Sequence, residues 1–322
     1  MAGRRWRPCG ASAIALDKRL SGTLVQGMLG FWLVRKAKNS ASMASLLDGL
    51  TPRPRLGCAS SGAASKARTL RPPPPVARRS RAPAATSATD MLERALSAAT
   101  PRARGLWARR GLALPVRIDR TTKAMLLRQL YLAYYEERRF QKAADVAEQL
   151  ISTAVLPDVA HQDAARAKHA LGDVEGAAGH LRLAARIGPA TRKAFHWWTL
   201  GSVYYLAHRY DEAIAAISRA ARWGTTDKPL YQGHLAVALC ASGQRVPDLS
   251  VLIDRLADAP AGQGYGRFIL GQMAFYAGRE AEARRHLEAF VRRSSTGRAA
   301  LGIALEGEIQ VARRTLAGLS KG

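Results

Sequence analysis

The sequence predicts an all-α protein whose helix pairs stack into a helical solenoid. One position recurs at a nearly constant interval along the chain, and it holds a small residue in four of the five units. The residues at this position are Ala143, Ala177, Ala213, Asp248 and Ala283. The intervals between these positions are 34, 36, 35 and 35 residues. Gly172, Gly243 and Gly278 fall between helical stretches, where a left-handed glycine ends a helix at little cost. A repeat of this length is typical of stacked helix pairs, because each pair buries its apolar face only against a neighbour.

The third unit has the most complete pattern. Its positions are, in order, Trp197, Leu200, Gly201, Tyr204, Ala213 and Ile217, with Pro229 after them. Large apolar residues three and four apart form one stripe on a helix, and small residues let two helices cross closely. This pattern resembles the tetratricopeptide repeat, a helix–turn–helix unit of about 34 residues.

The other units follow the same plan with local departures. The second unit has Ala164 and Ala165 where its first helix would have a large residue and a glycine. The fourth unit has Asp248 where alanine is usual. Pro157 and Pro189 follow the first two units and are expected to stop their second helices.

A sixth, shortened unit follows the fifth. It contains Leu301, Gly302 and Leu305, and its Ala312 lies only 29 residues after Ala283. Terminal repeats are atypical because they cover an open end of the stack. We therefore expect about five tetratricopeptide-type repeats and a C-terminal capping pair over residues 124–322.

The N-terminal part of the chain differs in composition from the repeats. Residues 1–90 contain 16 Lys or Arg against 3 Asp or Glu, with four consecutive prolines at 72–75. Such a segment buries too little apolar surface to offset the entropy of ordering, so we expect it to be largely disordered. Residues 91–123, with 8 basic and 2 acidic residues, are expected to form a basic helical lead-in. An alternative is that the natural product begins at Met91 or Met43, without the basic front.

One apolar stretch interrupts the front, from residue 20 to residue 34. Its 15 residues are fewer than the roughly 20 that span a bilayer, and basic residues flank it on both sides. We expect a cytoplasmic protein with no membrane partner. The alternative is an exported or membrane-associated protein that acts in envelope assembly, with residues 20–34 as its anchor.

No catalytic or metal-binding motif is present in the sequence. Cys9, Cys58 and Cys240 are isolated, and the seven histidines do not show the spacing of metal ligands. The glycines at 262, 264 and 266 lack the full phosphate-binding fingerprint. We therefore expect a protein that is not an enzyme and has no cofactor and no metal.

The family resemblance implies a concave groove lined by the first helix of each repeat. Carried over to this chain, the predicted partner-binding positions are Arg128, Tyr135, Arg166, His169, Phe195, Trp198, Tyr205, Phe268, Gln272 and Phe275. Trp198 is the strongest candidate, because Trp197 already matches the packing position. Aromatic and arginine side chains are typical of interface hot spots.

The leading hypothesis is a scaffold or adaptor that binds a protein or peptide, acidic or amphipathic, in this groove. A second hypothesis is nucleic-acid binding through the basic N-terminal arm, since the net charge is +26. It is the less favoured one, because most of the excess charge lies outside the repeats. The Ala, Arg and Gly bias indicates a GC-rich bacterial genome.

Overall fold

The computed structural model describes residues 87–296 and 299–320. The predictions for residues 1–86, which are their disorder and the apolar stretch at 20–34, lie outside this part of the chain. Within the described ranges the protein consists of 14 α-helices and one short 3₁₀ helix, with no β-strand. The all-α prediction is confirmed for these residues.

The helices follow one another with short connections. In chain order they are α1 (Ala88–Ser97), α2 (Pro101–Leu112), α3 (Arg120–Glu136), α4 (Phe140–Ser152), α5 (Pro157–Ala170), α6 (Val174–Ile187), α7 (Ala190–Leu206), α8 (Tyr210–Trp223), α9 (Lys228–Ala241), α10 (Leu249–Asp258), the 3₁₀ helix (Pro260–Gly262), α11 (Gly266–Tyr276), α12 (Glu280–Thr296), α13 (Ala299–Ala304) and α14 (Glu306–Leu319). From α1 to α9, each helix packs mainly against the next helix along the chain.

The turns between the paired helices share one backbone conformation. A residue with positive φ lies between the two helices of each pair, at Arg138 (57°), Gly172 (82°), His208 (59°), Gly243 (83°) and Gly278 (72°). These positions are separated by 34, 36, 35 and 35 residues, the same intervals as those of the predicted marker positions. The repeating arrangement of helix pairs is therefore present in the backbone itself.

The small residues predicted to lie at helix crossings are buried in four of the five pairs. Ala143, Ala177, Ala213 and Ala283 each have 0% relative exposure. Asp248 differs, because it precedes the short helix α10 in a left-handed conformation with φ of 53°. The marker assigned to the fourth pair is thus corrected: Asp248 lies at the start of a helix and is not a packing position.

The prolines open helices. Pro157 is the first residue of α5, Pro189 is the N-cap of α7, and Pro229 lies in the first turn of α9. The backbone N–H groups of the first helical turn have no acceptor within the helix, so proline, which lacks an N–H, costs nothing there. Its fixed φ also suits that position. The expectation that these prolines end the preceding helices is therefore replaced by a role at the start of the next ones.

Helices α1 and α2 form an additional pair at the N-terminal side of the repeats and pack on each other and on α3. Ser87 and Asp90 form a reciprocal capping box that starts α1, with N–H to oxygen distances of 3.1 and 2.9 Å. These two helices lie mostly within residues 91–123, for which we predicted a basic helical lead-in. Helix α1 begins at Ala88, three residues before Met91, where the predicted segment starts.

The C-terminal end differs in part from the predicted capping pair. Helix α14 packs on α12 and α11, as a cap would. Helix α13 is only six residues long and also contacts α3, the first helix of the first pair. Ile303 in α13 packs against the cluster that contains Tyr131 and Tyr135. The segment before α14 thus contacts the last helix pair, through α12, and the first helix pair, through α3.

No helix in residues 87–296 and 299–320 is both long enough and apolar enough to cross a bilayer.

Candidate functional site

The first helices of successive pairs lie side by side and are joined by polar contacts. We call the surface formed by α3, α5, α7, α9 and α11 the first-helix face. Arg128 on α3 donates to Asp163 on α5 at 3.1 Å, and both side chains are at most 5% exposed. Arg166, one turn from Asp163, donates to the second oxygen of the same carboxylate at 3.3 Å. One buried carboxylate therefore fixes two arginines on this face.

A second buried carboxylate joins α5 to α7. Asp158 accepts two hydrogen bonds from Arg192, at 2.7 and 2.9 Å, and lies 3.0 Å from Nε2 of His196. Burial alone would raise the pKa of Asp158, but the hydrogen bonds from His196 and Arg192 outweigh it and hold that pKa well below its usual range. Asp158 is therefore ionised at neutral pH and anchors the two helices to each other.

The aromatic centre of the face lies between α7 and α9. Trp198 donates its indole N–H to Nδ1 of His234 at 2.9 Å, and the ring of Tyr265 meets Trp198 edge to face with centroids 4.9 Å apart. Burial lowers the pKa of His234 to about 3, so its imidazole is neutral at physiological pH. Trp198 and Tyr265 belong to the main hydrophobic core, and His234 between them is fully buried.

The first-helix face is crossed by a segment of the same chain, residues 299–309, which we call the C-terminal strap. Arg138, in the turn after α3, forms an ion pair of 3.1 Å with Glu306. A Cβ atom on Gly307 would lie 2.8 Å from a methyl group of Leu206, the last residue of α7. Leu305 is buried, with 6% relative exposure. The strap is thus fixed against the first and third pairs.

Glu308 is the buried polar residue of the strap. It accepts a hydrogen bond from the hydroxyl of Tyr265 at 3.3 Å, and its second oxygen has no hydrogen-bond partner among the described residues. Burial raises the pKa of Glu308 to about 7. Further along α14, Gln272 donates to the hydroxyl of Thr315 at 3.0 Å. The buried Glu308 therefore holds its proton more tightly than an exposed glutamate does.

A cavity of about 80 Å³ remains between the strap and the first-helix face. Its walls come from α3, α5, α6 and α7 and from the strap. The lining residues are Tyr135, Gln162, Ala165, Arg166, His169, Leu181, Phe195, Trp198, Thr199, Ser202, Val203, Leu206, Leu301, Ala304, Leu305 and Glu308. The space is large enough for several water molecules or for one side chain.

Half of the residues predicted for the groove line this cavity. They are Tyr135, Arg166, His169, Phe195 and Trp198. Phe195, Arg166 and His169 are partly exposed, whereas Tyr135 and Trp198 have 6% and 1% relative exposure. Burial lowers the pKa of His169 and raises that of Tyr135 to about 12. The structure therefore brings these five residues together under the strap.

Six of the ten predicted residues are buried, where we expected exposed groove positions; they are Tyr135, Gln272 and four more. Trp198, Tyr205 and Phe268 have 1%, 6% and 0% relative exposure, because their rings pack between neighbouring helices. Arg128 is buried because its guanidinium is paired with Asp163. Trp197, expected to be the packing residue, is only partly buried, and Arg219 lies over its ring at 4.6 Å.

The remaining two predicted residues belong to α11. Gln272 is buried and occupied by its contact with Thr315. Phe275 is 38% exposed and packs edge to face on Tyr276, with centroids 5.5 Å apart. Neither residue lines the cavity.

The sequence reasoning missed the strap residues Leu301, Leu305 and Glu308 as part of this site. The one available signal was the short interval of 29 residues before Ala312, which we interpreted as a cap. An ion pair between residues 138 and 306 has no local sequence signature.

No protein-family model matches this chain, and no curated protein matches it. In the part of the chain that the structure describes, no three His, Cys, Asp or Glu side chains converge as metal ligands would.

Proposed function

We propose that this chain is a tetratricopeptide-type solenoid that acts as a non-enzymatic scaffold and binds a segment of a protein partner in a concave groove. The first-helix face corresponds to that groove. The five left-handed turns at intervals of 34 to 36 residues support the family assignment, since they are fixed by the helix–turn–helix period.

The observation that carries the binding proposal is the strap. An amphipathic segment of the chain lies against the first-helix face, with the apolar Leu305 buried and Glu306 paired with Arg138. The face therefore accommodates a segment with alternating apolar and acidic side chains. We infer that the partner segment has the same chemistry, which agrees with the positions of Arg138 and Arg166 beside the strap.

The partner and the strap would compete for the same surface. A segment that enters the groove must displace residues 299–309, at least in part, to reach Phe195 and Arg166. The cavity under the strap would then receive a side chain of the partner. The apparent affinity for the partner equals the affinity of the open groove multiplied by the fraction of molecules in which the strap has left the groove.

The test uses a fluorescently labelled peptide of residues 299–320, added to the full chain. In the unmodified protein the groove is occupied, so we expect weak binding of the peptide. In Gly307→Leu the new side chain would clash with Leu206, which expels the chain's own strap. We expect at least a tenfold gain in peptide affinity for this variant, measured by fluorescence anisotropy.

Gly318→Leu is the matched control, because it lies in the same helix and no atom lies within 4 Å of a Cβ at that position. It should bind the peptide as weakly as the unmodified chain. If Gly307→Leu keeps its helical content and still fails to bind the peptide, the groove does not recognise amphipathic segments and the proposal is wrong.

A further inference from the structure

Helices α1 and α2 present a basic surface that the groove does not use. Over residues 91–123 there are 8 basic and 2 acidic residues, and α2 alone contains Arg102, Arg104, Arg109 and Arg110. The apolar side of α2 is turned inward, with Gly105, Ala108 and Gly111 buried. Its arginine side, in contrast, faces solvent at positions 102, 109 and 110.

Two arginines are arranged around one indole ring on this surface. The guanidinium of Arg94 on α1 lies over the ring of Trp107 at 4.9 Å from its centroid, and that of Arg110 lies at 5.0 Å. The partly buried Trp107 thereby holds the two charges close together. A cation–π contact attracts a guanidinium to the ring face without removing its charge, so the ring orients both side chains and leaves them cationic.

A second aromatic ring extends the same surface onto α3. Arg109 donates to the hydroxyl of Tyr134 at 3.4 Å, and Arg139 lies over the Tyr134 ring at 4.8 Å. Arg102 and Arg109 are seven residues apart, so they lie on the same side of α2, about 10 Å apart along its axis. We call the set of Arg94, Arg102, Arg109, Arg110, Trp107 and Tyr134 the basic face.

Acidic neighbours balance only a small part of the charge of the basic face among the described residues, where Asp90, one turn before Arg94 on α1, interacts electrostatically with Arg94. Among the described residues, no carboxylate forms an ion pair with Arg94, Arg109 or Arg110. Arg104, on the neighbouring side of α2, does form one, with Glu136 at 2.8 Å. A cluster of exposed cations that outnumber their counter-ions favours a polyanionic partner, because binding it relieves the repulsion among the cations.

We propose that the basic face binds single-stranded nucleic acid. The planar fork of arginine matches phosphate oxygens, and guanidinium planes and aromatic rings are surfaces on which unpaired bases stack. A bilayer surface fits less well, because it requires an apolar side turned outward, and Leu106 is the one large apolar side chain of α2 with high exposure in the described structure. The inference is independent of the groove.

The residues before α1 add to this attraction. Residues 1–86 contain 16 Lys or Arg and two Asp, and they directly precede Ser87, the cap of α1. Their charge alone would draw in any polyanion without selectivity. The test must therefore separate the basic face from the net charge of the chain.

The experiment compares two triple variants of the full chain that lose the same charge. Arg94→Gln, Arg109→Gln and Arg110→Gln together remove the centre of the basic face. Arg222→Gln, Arg245→Gln and Arg255→Gln remove three exposed arginines elsewhere. The probe is fluorescein-labelled oligo-uridine of about 20 nucleotides, longer than one typical binding site for a single strand.

We expect the basic-face variant to lose at least tenfold in affinity and the control variant less than threefold. The slope of log affinity against log salt should fall by about 2 for the basic-face variant, since each phosphate contact on a single strand contributes roughly 0.7. Both variants should keep the melting temperature of the unmodified chain, since the substituted side chains lie at the surface.

Three results would overturn the proposal. One is an equal loss in the two variants, which would show that net charge alone binds the strand. Another is the absence of oligo-uridine binding by the unmodified chain. The third is tighter binding to phosphatidylserine vesicles than to the strand, with the same dependence on Arg94, Arg109 and Arg110, which would make this a lipid-binding face.

Discussion

The indole N–H of Trp198 donates to Nδ1 of His234, and this bond joins the third helix pair to the fourth inside the core. Nδ1 accepts a hydrogen bond only when it carries no proton, so the bond fixes the neutral tautomer of His234 with its proton on Nε2. Burial keeps that imidazole neutral, with a pKa of about 3. Trp198 therefore contributes both packing and a specific polar contact.

Replacing Trp198 by alanine should destabilise the fold severely. The change removes a fully buried indole and leaves Nδ1 of His234 without its donor, so we expect a loss of about 3–5 kcal/mol. Thermal or urea unfolding followed by circular dichroism measures it. Trp197→Ala is the matched control and should cost less than half as much, because Trp197 is only partly buried. Equal losses would contradict the difference in burial between the two indoles, and a larger loss for Trp197→Ala would show that they face the opposite sides of α7.

Stability should fall as the pH rises through the range in which Glu308 ionises. An unfolded glutamate has a pKa near 4.5, whereas the pKa of buried Glu308 is about 7, so the folded chain binds the proton more tightly between these values. The stabilisation of the folded state by neutral Glu308 is complete below pH 4.5 and is lost progressively up to about pH 7. Its size is about 3 kcal/mol at most.

Glu308→Gln isolates this effect from those of other titrating groups. Glutamine keeps an oxygen for the hydroxyl of Tyr265 but does not ionise. The difference in melting temperature between the variant and the unmodified chain should therefore grow in favour of the variant from pH 5 to pH 8. A constant difference across that range would mean that Glu308 is not buried in the folded protein.

We expect substitutions at two equivalent turns to have opposite effects on the free energy of unfolding. His208 and Gly243 occupy equivalent turns with φ of 59° and 83°. A non-glycine residue in this left-handed region costs about 1–2 kcal/mol, so His208→Gly should stabilise the protein by up to about 1 kcal/mol. Gly243→Ala should destabilise it by about 1 kcal/mol, since the site has room for the methyl group and only the backbone is strained. Chemical denaturation of both variants is the measurement, and a stabilising Gly243→Ala would contradict the shared turn geometry.

The helix pairs could be predicted from sequence because their signals are local. The small residues at Ala143, Ala177 and Ala213 are completely buried, and Gly172 and Gly278 adopt positive φ as expected. Each of these positions is determined by neighbours a few residues away. The period survives even where Arg138 and His208 replace glycine, because the turn is imposed by the packing of both helices.

The orientation of the aromatic side chains could not be predicted in the same way. Trp197 and Trp198 are adjacent, and one residue corresponds to a rotation of about 100° around the helix. An error of one residue in deciding which side of the helix faces the core therefore exchanges a core position for a surface position. The strap was missed for a different reason, since Glu306 and Arg138 are 168 residues apart in the chain and only the tertiary structure brings them together.

The ion pair between Arg138 and Glu306 should control how readily the strap leaves the groove. Both side chains are about half exposed, so the pair is worth at most about 1 kcal/mol. Glu306→Arg should increase the affinity for the added strap peptide by up to about fivefold, because it loosens the chain's own strap and leaves Arg138 to pair with Glu306 of the peptide. Arg138→Glu removes the pair for the strap and for the peptide alike and should leave the affinity nearly unchanged. The double swap restores the pair for the strap alone, so its affinity for the peptide should fall below that of the unmodified chain. Fluorescence anisotropy with the labelled peptide of residues 299–320 provides the measurement.

The control for this swap is the exposed ion pair between Arg209 and Glu175, which joins the second and third helix pairs without touching the strap. Arg209→Glu and Glu175→Arg should leave the peptide affinity unchanged, alone or together. Non-additivity confined to Arg138 and Glu306 would show that this pair fixes the strap, since a coupling energy arises only between residues that interact. If the two single substitutions at the strap are additive, the contact does not hold the groove closed, and closure depends on the apolar contacts of Leu305 and on the packing of Gly307 against Leu206.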